Sequence, residues 1–251
     1  MQDKAQSEAE QSRLVSLQSY QILDSAPEQE YDDIVARAAT LCQCPIAVIT
    51  LVDQHRQWFK ASVGIALRES ERHIAFCDHT VHGRDLLVVP DARLDDRFVA
   101  NPAVAHADGI RFYAGAPLFS TDGEVLGTLC VMDQQPRTLG DAERHYLTLL
   151  ADQVMMHLEL RRQNLRLRQA AAERDRACRD AEQRAAHLEE SQRIGAIGGW
   201  TFDLDSQKLN WSEQTFHIFG LSPSDLDGRF ERFMESVHPD DRQPLLNYRE
   251  E

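Results

Sequence analysis

The sequence predicts an α+β fold, an α/β sandwich in which helices pack on a central antiparallel sheet, and three observations carry that expectation. Two stretches read as hairpins, one of them apolar on both sides; two segments carry an apolar stripe at helical spacing; a breaker-free run of roughly fifty residues follows them.

The central stretch is Arg111 to Asp133. Two runs of apolar and small residues flank Asp122-Gly123, where Gly tolerates the positive φ of a tight turn. Phe112, Ala114, Ala116 and Leu118 share one face of the first strand, Tyr113 and Phe119 the other. On the return strand, simple alternation sets Val125, Leu129 and Val131 against Leu126, Cys130 and Met132. A pair covered on both sides belongs mid-sheet, and Pro117, which cannot donate a ladder hydrogen bond, implies a bulge. The small residues Ala114, Gly115, Ala116, Gly127 and Thr128 leave room for something large, a helix or a ligand.

Residues 1–12 are expected to form a flexible N-terminus. A helical pattern over residues 8–23 places Leu14, Leu17, Tyr20 and Leu23 about one turn apart, until Asp24-Ser25-Ala26-Pro27 stops it. Tyr31, Ile34, Val35, Ala38 and Leu41 mark a second helix, and each helix covers one sheet face. Pro45 introduces a buried strand, Ile46 to Val52, whose hairpin partner is Trp58 to Val63. Residues 69–108 are polar and irregular, with a short helix at Phe76 to His82 and a strand at Leu86 to Val89; long excursions of this kind are often functional.

Asp141 starts a helix with no breaker before Gly195. Leu147, Leu150, Val154 and Leu158 suit packing on the sheet. Farther along, Ala171, Cys178 and Ala185 alternate with Ala181 and Leu188 as a weak heptad seam, whose register shifts between Leu158 and Ala171. This predicts a homodimer through the Asp141 to Arg193 helix, because a long polar helix rarely stands alone in water. Beyond Gly198-Gly199, Trp200, Phe202 and Leu204, a turn at Asp205-Ser206, then Leu209 and Trp211 read as another hairpin. Ser212-Glu213 caps a helix through Phe216 and Phe219 that closes at Gly220. Phe230, Phe233, Met234, Val237 and His238-Pro239-Asp240-Asp241 follow, and the pattern is expected to be truncated at Glu251.

The formal charge of −14 disfavours nucleic acid as a partner. The N-terminus has no signal-peptide character, and no apolar run approaches the ~20 residues of a membrane span. Five cysteines at no disulfide-framework spacing point to a reducing compartment. A cytoplasmic protein without membrane contact is expected.

The motifs Ile22-Leu23-Asp24, Pro45-Ile46-Ala47, Leu51-Val52-Asp53, Arg56-Gln57-Trp58-Phe59-Lys60, Phe76-Cys77-x-His79, Val88-Val89-Pro90-Asp91-Ala92, Arg111 to Leu118 and Leu126-Gly127-Thr128-Leu129-Cys130-Val131 stand in the order of a known family. Over residues 13–160 the chain resembles the GAF domains of bacterial signalling proteins. Residues 194–251 resemble the first half of a PAS domain, through Ile197-Gly198-Gly199-Trp200 and Val237-His238-Pro239-Asp240-Asp241-Arg242. Residues 161–193 become a helical coiled-coil linker. The resemblance implies a sensory input module that feeds a histidine kinase or a diguanylate cyclase.

The expected small-molecule site is the sheet face over the small residues, lined by Trp58, Phe76, Cys77, His79, Arg111, Tyr113 and Thr128, with Arg111 offered to an anion. Core filling is the other reading of these residues. No cofactor is assigned. Cys77, His79 and His82, with Cys42 or Cys44, fit no standard zinc spacing, so no metal site is expected, and no catalytic motif stands out. A ligand-free dimerisation or scaffold module is the alternative function.

Overall fold

The computed structural model describes residues 2–203, 206, 208–224, 233–235 and 237–247. Leu204, Asp205 and Phe230, named above, lie outside the described residues. The chain divides into two compact units, residues 1–169 and 170–251.

The first unit is built on a six-stranded antiparallel sheet. Its strands are β1 (Ile46–Val52), β2 (Arg56–Val63), β3 (Glu69–Glu71), β4 (Leu87–Val89), β5 (Phe112–Phe119) and β6 (Val125–Asp133), in the order β3-β2-β1-β6-β5-β4. All nine residues of β6 are buried, as its central position requires. β3 and the one-turn helix α4 (Pro102–Ala105) were not legible in the polar excursion, while α3 (Phe76–His82) has the expected bounds.

Three helices pack on one face: α1 (Gln2–Ser19), α2 (Gln29–Leu41) and the start of α5 (Asp141–Ile194). Leu17, Ile34, Ala38, Leu147, Val154 and Leu158 meet Phe112, Ala114, Ala116 and Leu118 there. The first two helices therefore share a face rather than taking one each. Helices are what fills the space over Ala114 and Ala116. The opposite face is covered by α3, α4 and their loops, through Phe76, Val81, Phe98 and Val104 against Val48, Phe59, Val89, Tyr113 and Cys130.

Two local expectations change. α1 is helical from Gln2, within the stretch expected to be flexible, and it ends at Ser19, before any sequence breaker. Gln21 takes a left-handed φ of 47°, and this turn buries both Tyr20, whose hydroxyl reaches Glu159, and Ile22. Tertiary burial overrides local propensity here. In the β5–β6 pair, Pro117 faces Thr128 and Phe119 faces Val125, so Leu126 and Gly127 together oppose Leu118. This is the bulge Pro117 implied. It also reverses two assignments: Leu126 lies with Leu129 and Val131, and Val125 with Cys130 and Met132. Gly127 is required at the bulge, because a Cβ there would collide with the Thr50 carbonyl of β1.

Buried cations tie the helices to the sheet. Arg13 donates to the Val52 carbonyl (2.7 Å), and Lys60 binds Ser25, the Ala26 carbonyl and Glu28 ahead of α2. Arg162 of α5 reaches Asp122 and Thr121 in the β5–β6 turn and lies over the Tyr20 ring. α5 also leaves Tyr146, Leu149, Met156, Leu160 and Leu167 exposed, on the side away from the sheet. Leu158 belongs to the core with Leu147, Leu150 and Val154, as their spacing predicts.

In the second unit α5 ends at Ile194. Gly195 donates to Ser191, Ile197 to Gln192, and the left-handed residue is Ala196 (φ 49°). β7 (Trp200–Asp203) and β8 (Lys208–Trp211) pair as a hairpin. α6 (Glu213–Phe219) is capped by the Ser212 hydroxyl and closed by Gly220 at φ 66°, as the sequence predicts, and α7 spans Pro239–Asn247. Trp211 packs against Phe216, Phe219 and Phe233.

Candidate functional site

Polar ties hold the N-terminal side of α3. Arg72 binds Asp78 (2.7 Å), and Asn101 donates to the Ile74 carbonyl (2.7 Å) while its side-chain oxygen caps α4. The Thr80 hydroxyl pairs with the Tyr113 hydroxyl at 3.0 Å. The apolar face of α3 then seats Phe76 between Phe98 (ring centroids 4.3 Å apart) and Tyr113 (5.1 Å), both stacked.

Beneath this stack lies a buried cluster of sulfur and hydroxyl groups. Cys77 Sγ accepts from the Thr128 hydroxyl at 3.0 Å and from the Tyr113 hydroxyl at 3.5 Å, and stands 3.9 Å from Cys130 Sγ. Thr128 and Thr50 share a hydroxyl–hydroxyl bond of 2.9 Å, and Cys130 Sγ lies 3.6 Å from the Val48 carbonyl. The hydrogen bond from the Cys130 thiol draws the Cys77 thiol below its ordinary pKa; burial opposes this, and the Thr128 and Tyr113 hydroxyls add to it. Cys130 is pushed well above its ordinary value by that same bond and by burial, and Tyr113 by burial and by the charge a Cys77 thiolate would carry.

Of the seven residues expected to line a pocket, Phe76, Cys77, Tyr113 and Thr128 meet here, in a cluster filled by their own side chains. Trp58 is on the opposite face, with the helix-packed core, because β2 turns Phe59 and not Trp58 toward α3. His79 is exposed and touches the edge of Phe98. Arg111 is buried, but its guanidinium donates to the carbonyls of Val104 (2.7 Å), His106 (2.7 Å) and Ala107 (2.9 Å), so it clamps the loop after α4 rather than facing an anion. The large group over Gly115 is the Tyr113 ring, which a Cβ there would strike.

Cys77, His79 and His82 do not converge: the sulfur points to Cys130, while His82 Nδ1 is bonded to the Asp78 carbonyl. Among the described residues no group of three or more His, Cys, Asp or Glu is placed to hold a metal. Thr50, Thr80, Phe98 and Cys130 join the cluster from outside the seven expected lining residues. Cys130 was legible, since in the register Tyr113↔Met132 and Gly115↔Cys130 it shares the face of Tyr113.

Known proteins give the fold a place. The sequence profile of the GAF domain matches residues 26–158, and that of a PAS fold matches residues 208–251. A cyclic di-GMP phosphodiesterase of Pseudomonas aeruginosa is 42% identical over 130 residues, 52% of this chain; the chain covers 22% of that relative's length. The GAF domain of an Acinetobacter phosphoenolpyruvate-protein phosphotransferase is 18% identical over 60% of this chain and 92% of its own, with a TM-score of 0.46. A domain of a Sinorhizobium meliloti putative two-component sensor histidine kinase is 17% identical over 60% of this chain and 99% of its own, with a TM-score of 0.43. With its family profile running from the loop before α2 into α5, across the sheet and the α3 cluster, the chain belongs to the GAF domain family.

Proposed function

We propose that this chain is a cytoplasmic sensory input module that acts as a homodimer and governs an output turning over cyclic di-GMP. The observation that carries the sensory reading is the succession of a GAF domain and a PAS fold, two sensory domain types, in a chain whose α5 is one unbroken helix of 54 residues. The choice of output rests on the phosphodiesterase relative. Among the described residues no helix is long and apolar enough to cross a membrane. Reading the coding DNA past the Glu251 codon tests the output. A phosphodiesterase or cyclase domain in frame supports it; a histidine kinase domain replaces it; a stop codon overturns an attached output.

The exposed stripe on α5 supports the dimer. Tyr146, Leu160, Leu167, Ala181 and Leu188 take one heptad position, and Leu149, Met156, Ala170 and Ala177 take the other, in a single register. Gln153, Gln163, Arg174 and Arg184 interrupt it, which weakens the seam and suits a pair that must rearrange. The occupant is a second copy of α5, since a self-complementary stripe of this length matches itself in register. Sedimentation of the full chain with Met156→Glu and Leu160→Glu is expected to give monomer. An unchanged dimer would place the interface elsewhere.

A ligand-free dimerisation module is the second reading, and the filled α3 cluster favours it. Thermal-shift measurements with a panel of nucleotides and metabolites separate the two: a reproducible rise in melting temperature supports a ligand, since selective binding to the folded state stabilises it.

A further inference from the structure

We propose that Cys77 and Cys130 form a reversible disulfide under peroxide, making the α3–β6 contact a thiol oxidation site. The two sulfurs face each other across the interface between a short helix and the central strand, 3.9 Å apart. A disulfide requires about 2.05 Å, so the gap to close is about 1.9 Å, within the reach of a side-chain rotation together with a small settling of α3. α3 is the element suited to that movement. It is seven residues long, has no side-chain cap at its N-terminus, and is joined to the sheet by side-chain contacts rather than ladder bonds. Strand β6, by contrast, is fixed between β1 and β5 and holds Cys130 in place.

The cluster also distinguishes the two sulfurs chemically. Cys77 receives hydrogen bonds from the Thr128 and Tyr113 hydroxyls, which favour its thiolate. Cys130 has the Val48 carbonyl and the Cys77 sulfur within reach of its S–H, which keep it a thiol. Cys77 is therefore the attacking group and Cys130 the resolving one. The Cys77 thiolate attacks one oxygen of hydrogen peroxide and the O–O bond breaks; the departing hydroxide takes up the proton that Cys77 released and leaves as water, with sulfenic acid on Cys77. The Cys130 sulfur then attacks the Cys77 sulfur. The S–O bond breaks, the S–S bond forms, and the second water carries away the proton of Cys130. The thiol pair loses two electrons, and one peroxide becomes two waters.

Burial sets the conditions. Both thiols are covered, so a water-sized oxidant enters only when α3 opens locally, and a bulkier reagent is excluded in the closed state. In a reducing compartment such a bond is transient, as sensing disulfides are. This inference stands on the geometry alone and does not need the sensory reading to hold.

The test is peptide mapping of the full chain after excess hydrogen peroxide, quenching with N-ethylmaleimide under denaturing conditions, and mass spectrometry. The expected product has lost two hydrogens and joins the Cys77 and Cys130 peptides. A phosphine reductant should reverse it, and it should form equally in Cys178→Ser, which removes the exposed thiol. In Cys130→Ala, dimedone should label Cys77; in Cys77→Ala, it should leave Cys130 unlabelled. Full alkylation of both thiols in peroxide-treated wild type, a crosslink to any other cysteine, or stable oxygen addition without a crosslink overturns the proposal, whatever the variants do.

Discussion

Arg111→Ala separates a structural role from an anion-binding one. In the folded protein the guanidinium makes three short, charge-assisted hydrogen bonds, to the carbonyls of Val104, His106 and Ala107. Each such bond contributes ~1.5–3 kcal/mol, but the truncation costs less than their sum. His106 and Ala107 are exposed, and their carbonyls recover water. Val104 is buried, and its abandoned carbonyl bears a desolvation cost of ~1–3 kcal/mol. The loss of packing around the Arg111 stem and the loosening of the loop after α4 bring the total to roughly 2–4 kcal/mol. In a domain of this size 1 kcal/mol corresponds to ~2–4 °C, so the melting temperature should fall by about 4–16 °C, with a matching drop in the urea midpoint. Arg111→Lys should recover part of the loss, since an ammonium donates to carbonyls without the fixed fork. A variant within ~0.5 kcal/mol of wild type would refute the clamp and return Arg111 to the role of a ligand anchor.

Gly127→Ala should cost roughly 2–3 kcal/mol by forcing β1 and β6 apart at the bulge; chemical denaturation measures it, and a neutral result would mean the bulge relaxes freely. Ala196→Gly should stabilise the second unit by ~0.5–1 kcal/mol, since Ala196 sits at a left-handed φ of 49° where Gly carries no Cβ penalty; an unchanged or lowered melting transition counts against that cap. Glu10 titrates at about 2: burial pushes its pKa up, but hydrogen bonds from Arg13 and Arg72 outweigh it. Its folded pKa lies below the unfolded value, so its contribution is present above pH 4.5 and disappears as pH falls from there toward 2. Thermal unfolding across that window should show a smaller loss for Glu10→Gln than for wild type, and parallel curves would assign the acid sensitivity elsewhere.

Periodic segments were the most legible. The apolar run Ile46–Val52, the α2 stripe, the α3 bounds and the Ser212 and Gly220 caps all follow from local rules that the tertiary structure leaves intact. The return strand β6 was half legible: Pro117 announced a bulge, but nothing in one strand says on which partner the extra residue falls, and that choice moved Val125 and Leu126 to opposite faces. β3 is a polar Glu-Ser-Glu segment whose strand character comes from pairing with Arg56, Gln57 and Trp58. The expected pocket lining was less legible for a related reason. Arg111 reads as an anion anchor because its partners are backbone carbonyls of a loop, and these leave no mark in composition or spacing.

The sheet's edges have a consequence for how the protein keeps to itself. Both edge strands are three residues long, against seven to nine for the four strands between them, so each offers an incoming strand only a short ladder. β3 meets an incoming strand with Glu69 and Glu71, and β4 runs directly into Pro90, which has no N–H to offer. A sheet bounded in this way is a poor template for edge-to-edge aggregation.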